Sequence, residues 1–430
     1  MSCCTVKLMH TRKKRHISAW IITLMILTVL ALSLAALVPC YRAASEKLAA
    51  LRAELNFYSA IAADAKDYIL STQLSNGALA FTPKMDGEAR IVPYFSDTAA
   101  IALLSGADGA DNSTIVRDYM DWHIAHQNDA ITDVQGVCGS IYNYGVTVDN
   151  GTVIEETTDQ TYDSIDSYAA CFLILLDEYY AKTNDAAYFI CNADGIFDVM
   201  DALLAMIADN GLSIVKPSNH TQYTMDNTEV FCALEGCARL LSQAYESQPA
   251  VQNRLALVNA ALERQRTQFE ALLWNPAEQR YEIGLNGDGE PLGWKGWHEF
   301  YPDATAQLFP IAYGVIPADS ERAKQLYSTF CAAYDWQDMA HFTDGHASFY
   351  WGVLAYTGAL MQDTPRVRAY MEYYQHEIMC DHKYPLYNAD SGWIVLACNL
   401  MAAQCRQQMQ DIDLFGVVSF IDSIAKPIPC

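Results

Sequence analysis

Basic residues are scarce in this sequence. The 430 residues include 27 Lys and Arg against 51 Asp and Glu, so the formal net charge is −24 at pH 7. Nucleic acids bind to positively charged surfaces, and this balance argues against a nucleic-acid partner. Polyanionic polysaccharides are disfavoured for the same reason, whereas neutral and amino-sugar polymers are not.

The sequence also lacks the short motifs of several enzyme classes. It has no GxSxG elbow, no HExxH pair and no phosphate-binding loop, which leaves serine hydrolases, zinc proteases and kinases without support. Its 13 cysteines include no CxxC pair. The fragment Cys380-Asp381-His382 has no partner motif that would complete a zinc site. We therefore predict neither a metal nor a cofactor.

Charge is absent from residues 17–38, a segment long enough to cross the core of a bilayer. The basic segment 1–16 precedes it, and the positive-inside rule assigns such a tail to the cytoplasm. We predict a single-pass signal anchor at 17–38 in the cell membrane, a helical stalk at 39–55 and an extracytoplasmic domain at 56–430. A cleaved signal peptide and a secreted protein are the alternative. Full-length protein in membrane fractions would distinguish the two.

Hydrophobic residues, at 52% of the chain, recur in a repeated pattern. An amphipathic segment is followed by a loop, an aromatic residue, an acid and then a more apolar segment. The amphipathic segments have helical spacing and one polar face; they cover residues 58–74, 115–126, 196–209, 254–274, 320–334 and 367–379. The apolar segments follow acids at six places: Asp97, Asp163 with Asp166, Asp226, Asp303, Asp344 and Asp390.

Six polar and six apolar helices in alternation predict two concentric rings, in which the apolar helices are the inner ones. The predicted fold is all-α, an (α/α)6 toroid of six helical hairpins. Two short β-hairpins are expected in the loops at its rim, over residues 139–153 and 281–294, where Asn and Gly mark tight turns.

The acids that precede the inner helices admit two interpretations. An acid at a helix start often caps free backbone N–H groups, and Asp226 to Glu229 has the spacing of a capping box. In a toroid, however, the inner helices all begin at one central mouth, and paired carboxyl groups there are what glycoside hydrolysis requires. We predict a catalytic core of Asp163, Asp166 and Asp226, with further candidates Glu229, Asp97 and Asp303.

Aromatic side chains and histidines accompany these acids along the sequence. Flat apolar rings can stack on the CH faces of sugars, although packing at the rim is an alternative role for them. The segment GWKGWHEFYPD contains four of the candidates. The predicted substrate-binding residues are Tyr94, Tyr162, Tyr223, Trp294, Trp297, His298, Tyr301, His346 and Trp393.

Between residues 56 and 408 the chain resembles the six-hairpin glycosidase superfamily. SDTAAIALL resembles the first inner helix of the family-eight cellulases, which implies that Asp97 is in the position of their general acid. DSIDSYAACFLILLDEYY looks like their second inner helix, whose acid faces the sugar, so Asp163 or Asp166 would correspond. PYFSDTAA, YDSIDSYAA and MDNTEV look closer to membrane-anchored or secreted bacterial members that are assigned to the superfamily by fold.

The function expected from residues and resemblance together is hydrolysis of an oligo- or polysaccharide by carboxylate acid and base catalysis. A polysaccharide lyase is one alternative, and it would need a Tyr or His base and a cation for the uronate. A glycan-binding protein without catalytic activity is the other alternative. All three predict a carbohydrate partner.

Overall fold

The computed structural model describes residues 4–106, 111–245 and 251–412. These residues are mostly helical and form a few short strands. The α-helices are α1 Cys4–Leu70, α2 Pro93–Leu104, α3 Ser113–Ala125, α4 Asp166–Thr183, α5 Ala186–Cys191, α6 Ala193–Ala205, α7 Thr224–Gln243, α8 Val251–Gln268, α9 Phe309–Ala312, α10 Glu321–Ala333, α11 Ala340–Thr343, α12 Val353–Leu360, α13 Thr364–Tyr373 and α14 Asn388–Ile412. The strands are β1 Gly87–Ile91, β2 Tyr144–Asp149, β3 Thr152–Thr157, β4 Gln222–Tyr223, β5 Trp274–Asn275, β6 Arg280–Tyr281 and β7 Gly284–Leu285.

The chain divides into two compact units. One contains Met1–Phe57 and Ala402–Cys430, and the other contains Tyr58–Met401. The predicted anchor at 17–38 falls in the first unit, and part of it lies outside the residues whose side chains are described. Among those that are described, no helix combines the length and the apolar character that crossing a membrane requires. The anchor at 17–38 and the extracytoplasmic location stay predictions.

The second unit has the predicted alternation of outer and inner helices. Outer helices α3, α6, α8 and α13 each contact an inner helix that neighbours them in the chain, respectively α2, α4, α7 and α12. The inner helices α2, α4, α7, α9 and α12 contact one another in that order. Gly392 of α14 packs so closely on α2 that a Cβ there would lie 3.0 Å from the Thr98 carbonyl oxygen. The sixth inner helix thereby closes the ring, as expected for an (α/α)6 toroid.

Two of the predicted inner helices are shorter than expected. The fourth is a π-helical turn, Phe300–Ala304, followed by α9 of only one turn, because Pro302 and Pro310 lack the N–H that a continuous helix needs. The fifth begins at Val353 rather than near Asp344. The prediction of a helix start at Asp344 was wrong, and residues 344–352 form a loop instead.

The strands lie in the loops that precede inner helices. β1, β2 and β3 form an antiparallel sheet, and β2 and β3 turn at Asn150 and Gly151, both of which have positive φ. The second predicted hairpin is only partly formed, since β6 pairs with β5 and β7 pairs with β4. The β4–β7 pair directly precedes α7. It thus positions the start of the inner helix that carries Asp226 and Glu229.

Candidate active site

A cavity of about 610 Å³ lies at the N-terminal ends of the inner helices, within the second unit. Its volume is in the range of small-molecule sites. Every inner helix, or the turn before it, contributes to its wall. The lining residues are Tyr94, Phe95, Thr98, Asp163, Ser164, Ser167, Tyr168, Met225, Asp226, Glu229, Tyr301, Phe309, Gly345, His346, Ala347, Ser348, Phe349, Trp351, Val353, Ala389, Asp390 and Trp393.

Three of the six predicted catalytic acids line this cavity. Asp163 is exposed and lies just before α4. Asp226 and Glu229 are three residues apart in the first turns of α7, so they project from one face of that helix. The start of α7 is held by Thr224, whose hydroxyl donates to the carbonyl oxygen of Glu282.

Glu229 is the most enclosed of the three, with 1% of its surface exposed. Its Oε1 accepts hydrogen bonds from the Tyr94 hydroxyl at 2.6 Å and from the Tyr313 hydroxyl at 3.2 Å. Burial raises the pKa of Glu229 to about 8, although these hydrogen bonds oppose the rise. At neutral pH this carboxyl is mostly protonated, which is the state a general acid needs. The structure does not support the capping-box interpretation of Asp226 to Glu229, because no side chain caps α7 and the partners of Glu229 lie on other elements.

Asp226 has a carboxyl group crowded by others. Burial raises its pKa well above the usual Asp value, and repulsion from Asp166, Glu229 and Asp163 raises it further. Ser167 opposes this effect by hydrogen bonding to Asp226. When carboxyl groups lie close together, repulsion between their negative charges raises the pKa of some of them more than that of others. One site can then hold both a protonated acid and an ionised base.

Asp166 lies behind the cavity wall and is fully buried. The Ser213 hydroxyl donates to its Oδ2 at 2.6 Å, and the Ser167 amide donates to Oδ1 at 2.9 Å. Burial raises the pKa of Asp166 to about 7. As the first residue of α4, it joins this helix start to the segment before α7. Its contacts are those of a structural carboxyl group, with an electrostatic effect on Asp226.

Asp97 and Asp303 are also fully buried and do not line the cavity. Asp97 Oδ1 accepts from the Tyr119 hydroxyl of outer helix α3 at 2.8 Å, and burial raises its pKa. Asp303 Oδ1 accepts from the amides of Lys295 and Gly296 at 2.5 and 3.1 Å, which orders the loop before the π-helical turn. The structure does not bring these two acids together with Glu229.

Four of the nine predicted substrate-binding residues line the cavity: Tyr94, Tyr301, His346 and Trp393. Tyr301 is 54% exposed and contacts the Trp351 ring at 5.5 Å between centroids. Its side chain is thus free to meet a ligand that enters. His346 packs edge-on against Tyr334 in the loop before α12.

The other five predicted binding residues lie outside the cavity wall. Tyr162 donates to Asp133 at 3.0 Å and is buried. Arg280 stacks on the Trp294 ring at 4.4 Å, and Trp294 in turn meets Trp297 edge-on. Tyr223 precedes α7, and charges at Asp226 and Asp163 raise its pKa in addition to burial. The remaining residue is His298, which is exposed.

An aromatic face of the cavity was not predicted. Phe349 and Trp351 stack almost in parallel, with centroids 4.7 Å apart and planes inclined by 11°. Trp351 has a φ of 56°, which is strained for a bulky side chain, and such strain is enriched at functional sites. The sequence HASFYWG offered a signal in its aromatic content, but the prediction of a helix from Asp344 obscured it.

Asp390, at the start of α14, holds this aromatic loop. Its Oδ1 accepts from the Gly352 amide at 3.0 Å, and only 4% of the residue is exposed. Burial raises the pKa of Asp390 to about 7, while backbone N–H groups of residues 350–352 and Tyr387 oppose the rise. The sequence predicts that Asp390 lies at the start of an inner helix, but it predicts no role for this residue in the site.

The cavity has no basic wall. Among the residues that the structure describes, no Lys or Arg lines it. Within the same residues, no group of three or more His, Cys, Asp and Glu side chains is arranged to hold a metal ion. The chemistry available from the side chains themselves is that of carboxyl groups, phenols, the His346 imidazole and aromatic faces.

No protein-family model matches this chain, and no curated protein matches it. Solved structures do. A wild-type glycosidase has 13% identity and a TM-score of 0.55, over 81% of this chain and 98% of that one. The fold is glycosidase-like. A variant glycosidase in complex with glucose has 12% identity over the same shares, with a TM-score of 0.52. An α-amylase from Clostridium perfringens has 11% identity and a TM-score of 0.50, over 79% of this chain and 97% of that one.

At these identities the likeness extends to the glycosidase-like fold and no further. It supports the predicted six-hairpin architecture, which the closed ring of inner helices also favours. Roles for individual residues are therefore argued from the geometry of this cavity alone.

Proposed function

We propose that this protein is a glycoside hydrolase that acts on an oligo- or polysaccharide, with Glu229 as general acid. The observation that carries the proposal is the state of Glu229. It is a buried carboxyl group in an aromatic cavity, burial raises its pKa to about 8, and the carboxyl groups of Asp163, Asp226 and Asp390 line the same cavity. A solved structure of the same fold holds glucose, which supports a carbohydrate ligand.

In the proposed reaction Glu229 donates its proton to the glycosidic oxygen as the bond to the anomeric carbon breaks. A second carboxyl group, Asp163 or Asp226, either activates water or attacks that carbon. The exposed Asp163 is the better candidate, since it lies at the mouth where water enters. Asp226, whose own pKa is raised by burial and by the neighbouring carboxyl groups, is the second candidate for that role.

The wall composition favours a neutral or amino sugar. A lyase acting on a uronate would need a cation beside the acids. The described part of the cavity wall provides no Lys or Arg for that purpose. Stacking surfaces for the sugar rings are provided by Phe349, Trp351, Tyr301 and Trp393.

The experiment is reducing-sugar release by the full chain from neutral β- and α-glucans, amino-sugar polymers and uronate polymers. Glu229→Gln and Asp163→Asn are compared with wild type. Glu235→Gln is the control, because this glutamate lies on the same helix and instead pairs with Arg266. We expect activity on one neutral or amino-sugar class, a loss of about 10²–10⁴-fold in Glu229→Gln, and no loss in the control.

Wild-type protein that is folded, binds one of the polymers and releases no sugar from any of them would overturn the hydrolase proposal in favour of glycan binding. Release from uronate polymers alone would favour the lyase.

A further inference from the structure

Two tyrosines from distant parts of the chain donate to the same oxygen of Glu229. Tyr94 belongs to α2 and Tyr313 follows α9, and both hydroxyl groups lie within 3.2 Å of Oε1. The sequence predicts a sugar-binding role for Tyr94 and no role for Tyr313. Neither assignment explains why the two phenols converge on one atom.

The number of lone pairs limits where the proton of Glu229 can be. A protonated carboxyl group has one hydroxyl oxygen and one carbonyl oxygen, and the carbonyl oxygen has two lone pairs to accept hydrogen bonds. Tyr94 and Tyr313 occupy both lone pairs at Oε1. Oε1 is therefore the carbonyl oxygen, and the acidic proton is on Oε2.

The positions of both phenols are set by packing. The Tyr94 ring stacks on Tyr168 with centroids 6.0 Å apart. The Tyr313 ring stacks on Phe309 at 5.8 Å and meets Trp393 edge-on at 5.9 Å. Since four of these five rings line the cavity and Tyr313 lies against two of them, the phenols cannot turn away from Glu229 without disturbing the wall.

We infer that Tyr94 and Tyr313 are positioning residues that hold the acidic proton of Glu229 on Oε2 and so select the oxygen that protonates the leaving group. The statement about the leaving group rests on the proposed function, whereas the location of the proton does not. The step is balanced: the Oε2–H bond breaks, a bond forms from that proton to the glycosidic oxygen, and Glu229 is left as a carboxylate whose charge the two phenols then stabilise.

The same hydrogen bonds set the acidity of Glu229. Donors to Oε1 favour the carboxylate, so they keep the pKa of Glu229 below the value that burial alone would produce. Removing either hydroxyl group should therefore raise this pKa. The titratable groups that interact with Glu229 from the surrounding elements are Tyr94, Asp166, Cys171, Asp226, Tyr301 and Tyr313.

The test is a carbon-13 NMR titration of the Glu229 carboxyl carbon in the full chain, with the resonance assigned by its loss in Glu229→Gln. Tyr313→Phe and Tyr94→Phe are compared with wild type. Tyr245→Phe is the matched control, since it also removes a buried phenol, one that donates to the Phe189 carbonyl oxygen. We expect an upward pKa shift of roughly one unit in each of the first two variants and none in the control.

A downward shift would mean that the phenols stabilise the protonated form, and an unchanged pKa would mean that they do not bind the carboxylate; either result overturns the inference. The titration needs no substrate, which separates it from the hydrolase proposal. If the wild type hydrolyses a glycan, the basic limb of its kcat/KM profile should move upward in the same two variants. Upward NMR shifts in a protein that hydrolyses nothing would retain the positioning role and reject the hydrolase.

Discussion

At the scale of single residues, the environment of each carboxyl group decides its role. Asp163 is in water, Glu229 is enclosed by rings and phenols, and Asp166 is tied to Ser213 behind the wall. All three acids are similar in sequence, where each simply precedes or begins an apolar helix. Their different surroundings leave Asp163 exposed to solvent, keep Glu229 protonated and make Asp166 a structural group.

The buried acids predict how stability depends on pH. Glu229 has a pKa of about 8 in the folded protein, above the ordinary value of about 4.3 expected when unfolded. The folded state thus binds the extra proton between these values, and its contribution to the free energy of unfolding is largest below about pH 4. That contribution falls as pH rises to 8, by up to about 1.4 kcal/mol per pH unit.

The measurement is thermal unfolding between pH 5 and 8.5 for wild type and Glu229→Gln, with Glu235→Gln as control. The amide that replaces the carboxyl group in Glu229→Gln does not titrate, so the decline of stability with pH should be less steep in that variant alone. Parallel curves for all three proteins would contradict the assignment of a protonated Glu229.

At the scale of elements, the contact between α14 and the loop at 344–352 organises one side of the cavity. The carboxylate of Asp390 accepts the Gly352 amide, and the neighbouring Trp351 is held with positive φ against Phe349. Hydrogen bonds from the backbone N–H groups of residues 350–352 to this one carboxylate thus connect the start of an inner helix to the aromatic face.

Replacing Asp390 with Asn preserves the shape but substitutes a weaker, neutral acceptor. We expect a loss of about 1–3 kcal/mol at this contact. The visible results should be faster hydrogen exchange at the Gly352 amide and a several-fold higher KM for the sugar, with a smaller effect on kcat. In wild type the same change should develop as pH falls below 7, since burial raises the pKa of Asp390 to about 7.

Asp185→Asn is the control for loss of a capping carboxylate, because Asp185 caps α5 by accepting the Tyr188 amide. Equal exchange rates at Gly352 in wild type and Asp390→Asn would show that the loop does not depend on this carboxylate.

At the scale of the whole molecule, the alternating helices were predictable and the breaks in them were not. The 3.6-residue spacing of apolar side chains predicts outer and inner helices because burial in two rings imposes it. Pro302 and Pro310 interrupt the fourth inner helix. Both prolines are visible in the sequence, but the prediction gave more weight to the apolar residues around them. The loop before α12 is held by Asp390, 38 positions later, and the hydrophobic pattern contains no information about that contact.

The same limit applies to the site. That Asp163, Asp226 and Glu229 line one cavity was predictable from sequence, because the architecture brings all inner-helix starts to one mouth. Their ranking was not, since Glu229 depends on Tyr94, 135 positions earlier, and on Tyr313, 84 positions later. Spacing within a helix contains no information about such partners. The hydrogen bond to Asp166 from Ser213, 47 positions later, is equally invisible in the spacing.

The most direct test of the whole account is the leaving-group dependence of hydrolysis by Glu229→Gln. The kcat/KM values of wild type and variant are measured on aryl glycosides of the sugar that the polymer survey identifies, with phenols ranging from acidic dinitrophenol to weakly acidic ones. A general acid matters most for a poor leaving group. The account predicts a large loss, about 10²–10⁴-fold, for the weakly acidic phenols and little loss for dinitrophenol. An equal loss across the series would contradict Glu229 as the residue that protonates the leaving oxygen.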